Sequence, residues 1–161
     1  IGGDSAGANM ALATSIRLRE AGEPPMAGMI LNYGAFDWEE RASHRRYGSD
    51  RYMLTPTEME EFWSNYVTEE DRAHPHAKVA AASFIGLPPT FLCIAECDIL
   101  ADENRLVAER LAADGVEVRA ELYEGATHSF LEAVSVSALA DRAFSDASAW
   151  LADLLRTDAD V

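Results

Sequence analysis

Gly3-Asp4-Ser5-Ala6-Gly7 stands at the head of the chain, and its G-x-S-x-G spacing has a mechanical meaning. The pattern puts a serine on a tight strand-to-helix turn, where its hydroxyl projects from the end of a sheet. Small residues two positions to either side let the backbone bend and let the following helix pack closely. Glycine and serine are common, so the spacing alone does not establish a chemistry. The elements around it must supply the rest.

Ala6 to Ala21 reads as the helix that follows the turn, with alanines on the side that approaches a sheet. Gly22 stops it, and Pro24-Pro25 prevent its resumption. Residues Met26 to Leu31 and Pro89 to Ala95 are continuous apolar runs of strand length. Such runs suit parallel strands covered on both faces. Val118, Ala120 and Leu122 alternate with Glu117, Arg119 and Glu121, the period of a half-exposed strand near a sheet edge. Helices are predicted over 102–114, closed by Gly115, and over 136–155. The buried stripe predicted for the last helix comprises Val136, Leu139, Ala140, Ala143, Phe144, Ala147, Trp150, Leu151 and Leu154. Strands that alternate with helices in this way form a mostly parallel sheet with helices on its faces, an α/β fold.

Between Phe36 and Ser83 lies an irregular insertion with one well-marked helix start. Thr55 can cap, Pro56 suits the first turn, and Glu58 completes a capping box. Met59, Phe62, Trp63 and Tyr66 follow at helical spacing. Such a stripe usually belongs to a core. Here it lies beyond the end of a strand, where α/β folds place ligands, so part of it is expected to face substrate.

The 161 residues suffice for one domain. A net charge of −15 argues against nucleic acid and anionic membrane as partners. No apolar run approaches the ~20 residues needed to span a bilayer. Cys93 and Cys97 sit too far apart along an extended segment for a disulfide. Free thiols fit a reducing, cytoplasmic location.

A serine nucleophile needs a base, and the base needs an acid that fixes its tautomer. Folds with this elbow order them serine, acid, histidine along the chain. Asp98 follows the apolar run that ends at Ala95, and His128 follows the strand that ends near Tyr123. His44, His74 and His76 follow no strand in the required place. His74-Pro75-His76 lacks a further ligand at metal spacing, so no metal or cofactor is expected. Cys97 reads as packing, and the acidic residues between Glu58 and Asp71 read as a solvated face.

Gly3 to Gly7, Gly86-Leu87-Pro88-Pro89-Thr90, Asp98 to Glu103 and His128-Ser129-Phe130 together resemble the hormone-sensitive-lipase-like branch of the α/β-hydrolases, bacterial carboxylesterases in particular. The resemblance covers residues 1–161 and implies the C-terminal half of such a catalytic domain. It implies Ser5 as nucleophile, His128 as base, Asp98 as acid and the Ala6 amide as an oxyanion-hole donor. Asp37 and Asp102 stay open as alternative acids. Phe36, Phe62, Trp63 and Phe130 are expected around the substrate. Family members usually carry proline at Ile99 and often glycine at Ala8. The His-Gly-Gly-Gly type loop that supplies the other oxyanion donors is absent here. An N-terminal half of the same enzyme is therefore expected as a partner, besides a small-molecule ester. Dimerisation through strand 117–123 and the last helix is a further expectation. The activity implied is hydrolysis of short to medium acyl esters. An amidase or arylformamidase with the same residues, or an inactive hydrolase-fold fragment, are the alternatives.

Overall fold

Among the described residues four strands carry the fold, all parallel and in chain order across one sheet. A computed structural model describes residues 1–159, so the last two positions lie outside the described residues. The strands are β1 (Gly2–Asp4), β2 (Met29–Asn32), β3 (Thr90–Cys97) and β4 (Val118–Thr127). Helix α1 (Ala6–Glu20) joins β1 to β2, and α4 (Ala101–Ala113) joins β3 to β4. Between β2 and β3 lie α2 (Ala42–Tyr47) and α3 (Pro56–Tyr66), and α5 (Ala138–Ala159) follows β4.

Side chains of the central strands alternate between two cores, as a period of two requires. Met29, Leu31, Leu92 and Ile94 pack with Ala8, Leu12 and Ile16 of α1 and with Val107 and Leu111 of α4. Ile30, Phe91, Cys93 and Ala95 face the other way, against Ala140, Ala143 and Trp150 of α5. A third cluster joins Met59 and Trp63 of α3 to Ala35, Leu54, Ile99 and Leu100. It seats the insertion on the C-terminal ends of the strands.

Boundaries moved in three places. The apolar run from Met26 enters the sheet only at Met29. Gly28 is pressed against α5: a Cβ there would lie 2.6 Å from Leu154 Cδ2 and 2.9 Å from Trp150 Cη2. The chain from Ala21 to Ala27 is exposed and runs over the surface to reach that contact. The strand predicted over 117–123 continues to Thr127, which delivers the next residue, His128, directly from the sheet. The last helix begins at Ala138, so Val136 lies outside it and is 87% exposed. Phe144 and Leu151 are also exposed, which narrows the buried stripe to Leu139, Ala140, Ala143, Ala147, Trp150 and Leu154. Phe144 and Leu151 stand one step around the helix and wall a shallow cleft beside Ile30 and Asn32.

The start of α3 forms as its sequence predicts. Thr55 Oγ1 accepts the Glu58 N–H at 3.3 Å, and Glu58 Oε2 accepts the Thr55 N–H at 2.9 Å. This reciprocal pair satisfies two of the donors a helix N-terminus leaves free.

Candidate active site

The turn between β1 and α1 holds Ser5 at φ 54°, ψ −116°. A non-glycine residue there costs on the order of 1–3 kcal/mol and persists only when its surroundings over-determine it. They do: the Ser5 N–H donates to Asn32 O at 2.9 Å, and its carbonyl accepts from Ala8, Asn9 and Ala35 at 3.1, 3.3 and 3.2 Å. Gly3 is required by close approach, because a Cβ would fall 2.4 Å from the Gly7 carbonyl carbon and oxygen. A Cβ on Gly7 meets nothing within 4 Å, so the two glycines of the motif are not equivalent. Ala6 opens α1, where a backbone N–H has no intrahelical acceptor.

His128 is buried just beyond β4 and is bonded on both sides. Its Nε2 lies 3.0 Å from Ser5 Oγ, and its Nδ1 lies 2.7 Å from Asp98 Oδ2. A carboxylate accepts, so Nδ1 carries the proton and Nε2 presents a lone pair to the serine hydroxyl. Asp98 is 1% exposed and its Oδ1 accepts the Leu100 N–H at 3.0 Å, which fixes the carboxylate's rotation. Ser5, Asp98 and His128 thus meet, although 123 residues separate the first from the last.

Tyr33 completes the setting and was not singled out by the sequence. Its ring stands edge-on to the imidazole, with centroids 5.1 Å apart, and Phe130 buttresses it from 5.9 Å. Its hydroxyl donates to Asp4 Oδ2 at 3.2 Å, while Asn32 Nδ2 donates to Asp4 Oδ1 at 2.8 Å. Burial and the Asp4 carboxylate push the phenol above its ordinary range, so it stays a neutral donor. Phe130 packs against Tyr33 and Tyr123 rather than lining the cavity described next.

A cavity of about 370 Å³ includes Ser5 and Ala6 on one wall. Met10 and Asn9 of α1 continue that wall, and Met59, Phe62, Trp63 and Tyr66 of α3 face it. The insertion's aromatic stripe is thus divided: Met59 and Trp63 are buried, while Phe62 and Tyr66 are more than half exposed. Phe36 does not join this lining. It is fully buried in the core with α1, and its ring closes on Gly34, where a Cβ would lie 2.2 Å from Phe36 Cζ.

The remaining candidates are engaged elsewhere. Both oxygens of Asp37 accept from the Arg41 guanidinium at 2.6 Å. Asp102 accepts the Ser43 N–H at 2.8 Å and pairs with Arg105 at 3.0 Å. His44 accepts the Arg41 N–H, and burial, with Arg41 beside it, lowers its pKa. His76 lies 2.9 Å from Glu20, and His74 accepts the His76 N–H. Cys93 is a buried free thiol, pushed up by that burial, and Cys97 is a half-buried one. Among the described residues no group of His, Cys, Asp and Glu could hold a metal ion, and no helix is long and apolar enough to cross a membrane.

A family model described as the alpha/beta hydrolase fold matches residues 1–132. Among solved structures, the chain is similar to an esterase from the archaeon Pyrobaculum calidifontis. Identity is 32% and the TM-score 0.88, over 92% of this chain and 50% of that one. It is also similar to EstE1, a thermophilic carboxylesterase cloned from a metagenomic library, at 29% identity and a TM-score of 0.91, over 96% and 54%. A thermostable esterase from Pseudomonas putida matches at 32% identity and a TM-score of 0.83, over 88% and 46%. The chain spans about half the length of these structures.

Proposed function

Because the chain belongs to the α/β-hydrolase family, on its hormone-sensitive-lipase-like branch, we propose that it carries the reacting residues of a serine carboxylesterase. One observation carries this reading. A single imidazole is bonded to Ser5 Oγ at 3.0 Å and to the Asp98 carboxylate at 2.7 Å.

Ser5 Oγ attacks the acyl carbon while His128 Nε2 takes its proton. The tetrahedral oxyanion collapses, and the leaving alcohol departs with that proton. Water then attacks the acyl-enzyme by the same route in reverse, with His128 again as base. The Asp98 carboxylate orients the imidazole and stabilises its cation. The Ala6 N–H donates to the oxyanion, and on this reading the further donors come from outside these 161 residues. Phe62 and Trp63 contact the substrate, whose acyl chain is short to medium. The outer edge of β4 together with α5 is the surface through which two copies would pair.

The test is labelling with a fluorophosphonate alongside turnover of p-nitrophenyl esters. Label is expected on Ser5, and Ser5→Ala is expected to lose both label and turnover. A Ser5→Ala protein that still hydrolyses the ester at the wild-type rate overturns the proposal.

A further inference from the structure

Residues Gly34 to Phe36 form a buried loop after β2, and a buried loop must find partners for its backbone groups. Here every one is satisfied from a distant part of the chain. Gly34 N–H donates to Asn104 Oδ1 at 2.9 Å, and Gly34 O accepts from Asn104 Nδ2 at 2.8 Å. Ala35 N–H donates to the Ser5 carbonyl at 3.2 Å, and Ala35 O accepts from Asn9 Nδ2 at 2.7 Å. Phe36 N–H donates to Glu103 Oε1 at 2.6 Å, and Phe36 O accepts from the Ala80 N–H at 3.1 Å.

Two of these partners sit on the first turn of α4, directly after the Asp98 turn. Asn104 is 1% exposed and also donates to Leu100 O at 2.8 Å. The Leu100 N–H in turn binds Asp98 Oδ1. An unbroken path of hydrogen bonds therefore runs from the Asp98 carboxylate through Leu100, Asn104 and the Gly34–Ala35 backbone to the Ser5 carbonyl. Glu103 runs beside it, equally buried, with its Oε2 lacking a hydrogen-bond partner among the described residues and 3.8 Å from Arg41 Nη1. A surface loop would need none of this, and an acidic side chain is a costly way to satisfy backbone amides in a core.

We propose that Asn104 and Glu103 are positioning residues for the reaction, holding the Ser5 elbow in register with the Asp98 turn through the backbone of Gly34–Phe36. The proposal rests on the assignment of Ser5, His128 and Asp98 as the reacting groups. Neither residue touches them or lines the cavity at Ser5. Loosening the path should disturb the acylation geometry and leave the cavity walls in place.

The experiment compares Asn104→Ala, Asn104→Asp, Glu103→Ala and Glu103→Gln in the active enzyme. Measured are kcat and KM on p-nitrophenyl acetate, the cooperativity of the melt, and the low-field NMR resonance of the His128 Nδ1 proton. Asn104→Ala and Glu103→Ala are expected to lower kcat by roughly tenfold or more, with KM within about twofold, and to shift or broaden that resonance. Glu103→Gln keeps an acceptor for the Phe36 N–H and is expected to retain kcat within about threefold. Where Asn104→Ala does not melt cooperatively, Asn104→Asp replaces it, since it keeps the shape while turning the donor to Gly34 O and Leu100 O into a carboxyl oxygen. A folded Asn104 variant with wild-type kcat and an unshifted His128 resonance overturns the proposal, as does a Glu103→Gln protein as slow as Glu103→Ala. Failure of the underlying assignment looks different: Ser5→Ala would then stay active whatever these variants do.

Discussion

Replacing Asp98 by asparagine changes one atom, yet the structure fixes what that atom does. Asp98 Oδ1 accepts the Leu100 N–H at 3.0 Å, so the amide oxygen of the new side chain must stay on that side. The NH₂ group then faces His128 Nδ1, where a carboxylate oxygen now sits at 2.7 Å. It is a donor, so Nδ1 must become the acceptor and the ring proton moves to Nε2. The nitrogen 3.0 Å from Ser5 Oγ then carries a hydrogen and cannot take the serine's proton. An inverted tautomer of this kind in a serine protease costs about 10⁴ in rate, and roughly 10³–10⁴ is expected here. That is about 4–5.5 kcal/mol of barrier. The fold should survive, because the replacement is isosteric and both of its polar groups have partners. The assay is kcat on p-nitrophenyl acetate for Asp98→Asn and Asp37→Asn, with circular dichroism of each. A folded Asp98→Asn enzyme within tenfold of wild type would refute the argument, and a larger loss in Asp37→Asn would move the acid role there.

The two glycines of the elbow should separate in urea melts. Gly3→Ala drives a methyl into the Gly7 carbonyl and is expected to cost ~1–3 kcal/mol or more, whereas Gly7→Ala enters open space in α1 and should gain up to ~1 kcal/mol. Equal effects would contradict the close approach described. Ser5→Gly relieves a positive φ and should melt above Ser5→Ala although both are inactive; the reverse order would mean that the turn is unstrained. Burial, then the Asp37 carboxylate, hold Glu103 well above the usual carboxylate range, against the opposing pull of Arg41 and of the Phe36 and Asp37 N–H groups. The folded state thus keeps a proton that the unfolded chain releases near pH ~4.3, so this contribution is full below that pH and is lost as pH rises through the folded value. Glu103→Gln has no proton to lose and should gain on wild type in melts as the pH rises above about 4.3; a constant difference would place the raised group elsewhere.

What the sequence made legible is what depends on local spacing. The elbow, the capping box at Thr55 and the apolar runs of β2 and β3 each announce themselves within a few residues. That Ser5, Asp98 and His128 each follow a strand could be read from the runs before them. Hidden were features that depend on what lies opposite. Met26 to Gly28 looked like strand until α5 claimed Gly28 for a close contact. Phe36 looked like a pocket residue until the core with α1 took its ring. Phe144 and Leu151 share helical spacing with the true stripe, and only the position of the sheet separates the two. Tyr33 could have drawn notice as a large residue just past a strand end, but nothing local reveals its φ of 36° or the histidine beside it. Nothing local to Glu103 and Asn104 reveals their partners, which lie 67 and 70 residues away.

The sheet order also divides the mechanics of the site unequally. Asp98 and His128 leave neighbouring strands, just past the pairing of Cys97 with Thr127 that follows the irregularity at Ala95. Ser5 leaves β1, with β2 and β3 lying between it and β4. At ~4.8 Å per strand that is about 14 Å of sheet, so the loop bearing His128 must lean back across two strands. Relative motion between Asp98 and His128 crosses a single seam. Motion between His128 and Ser5 accumulates over three. The His128 imidazole and the Asp98 carboxylate should therefore travel as one stiff couple, and the contact between His128 and Ser5 is the softer of the two.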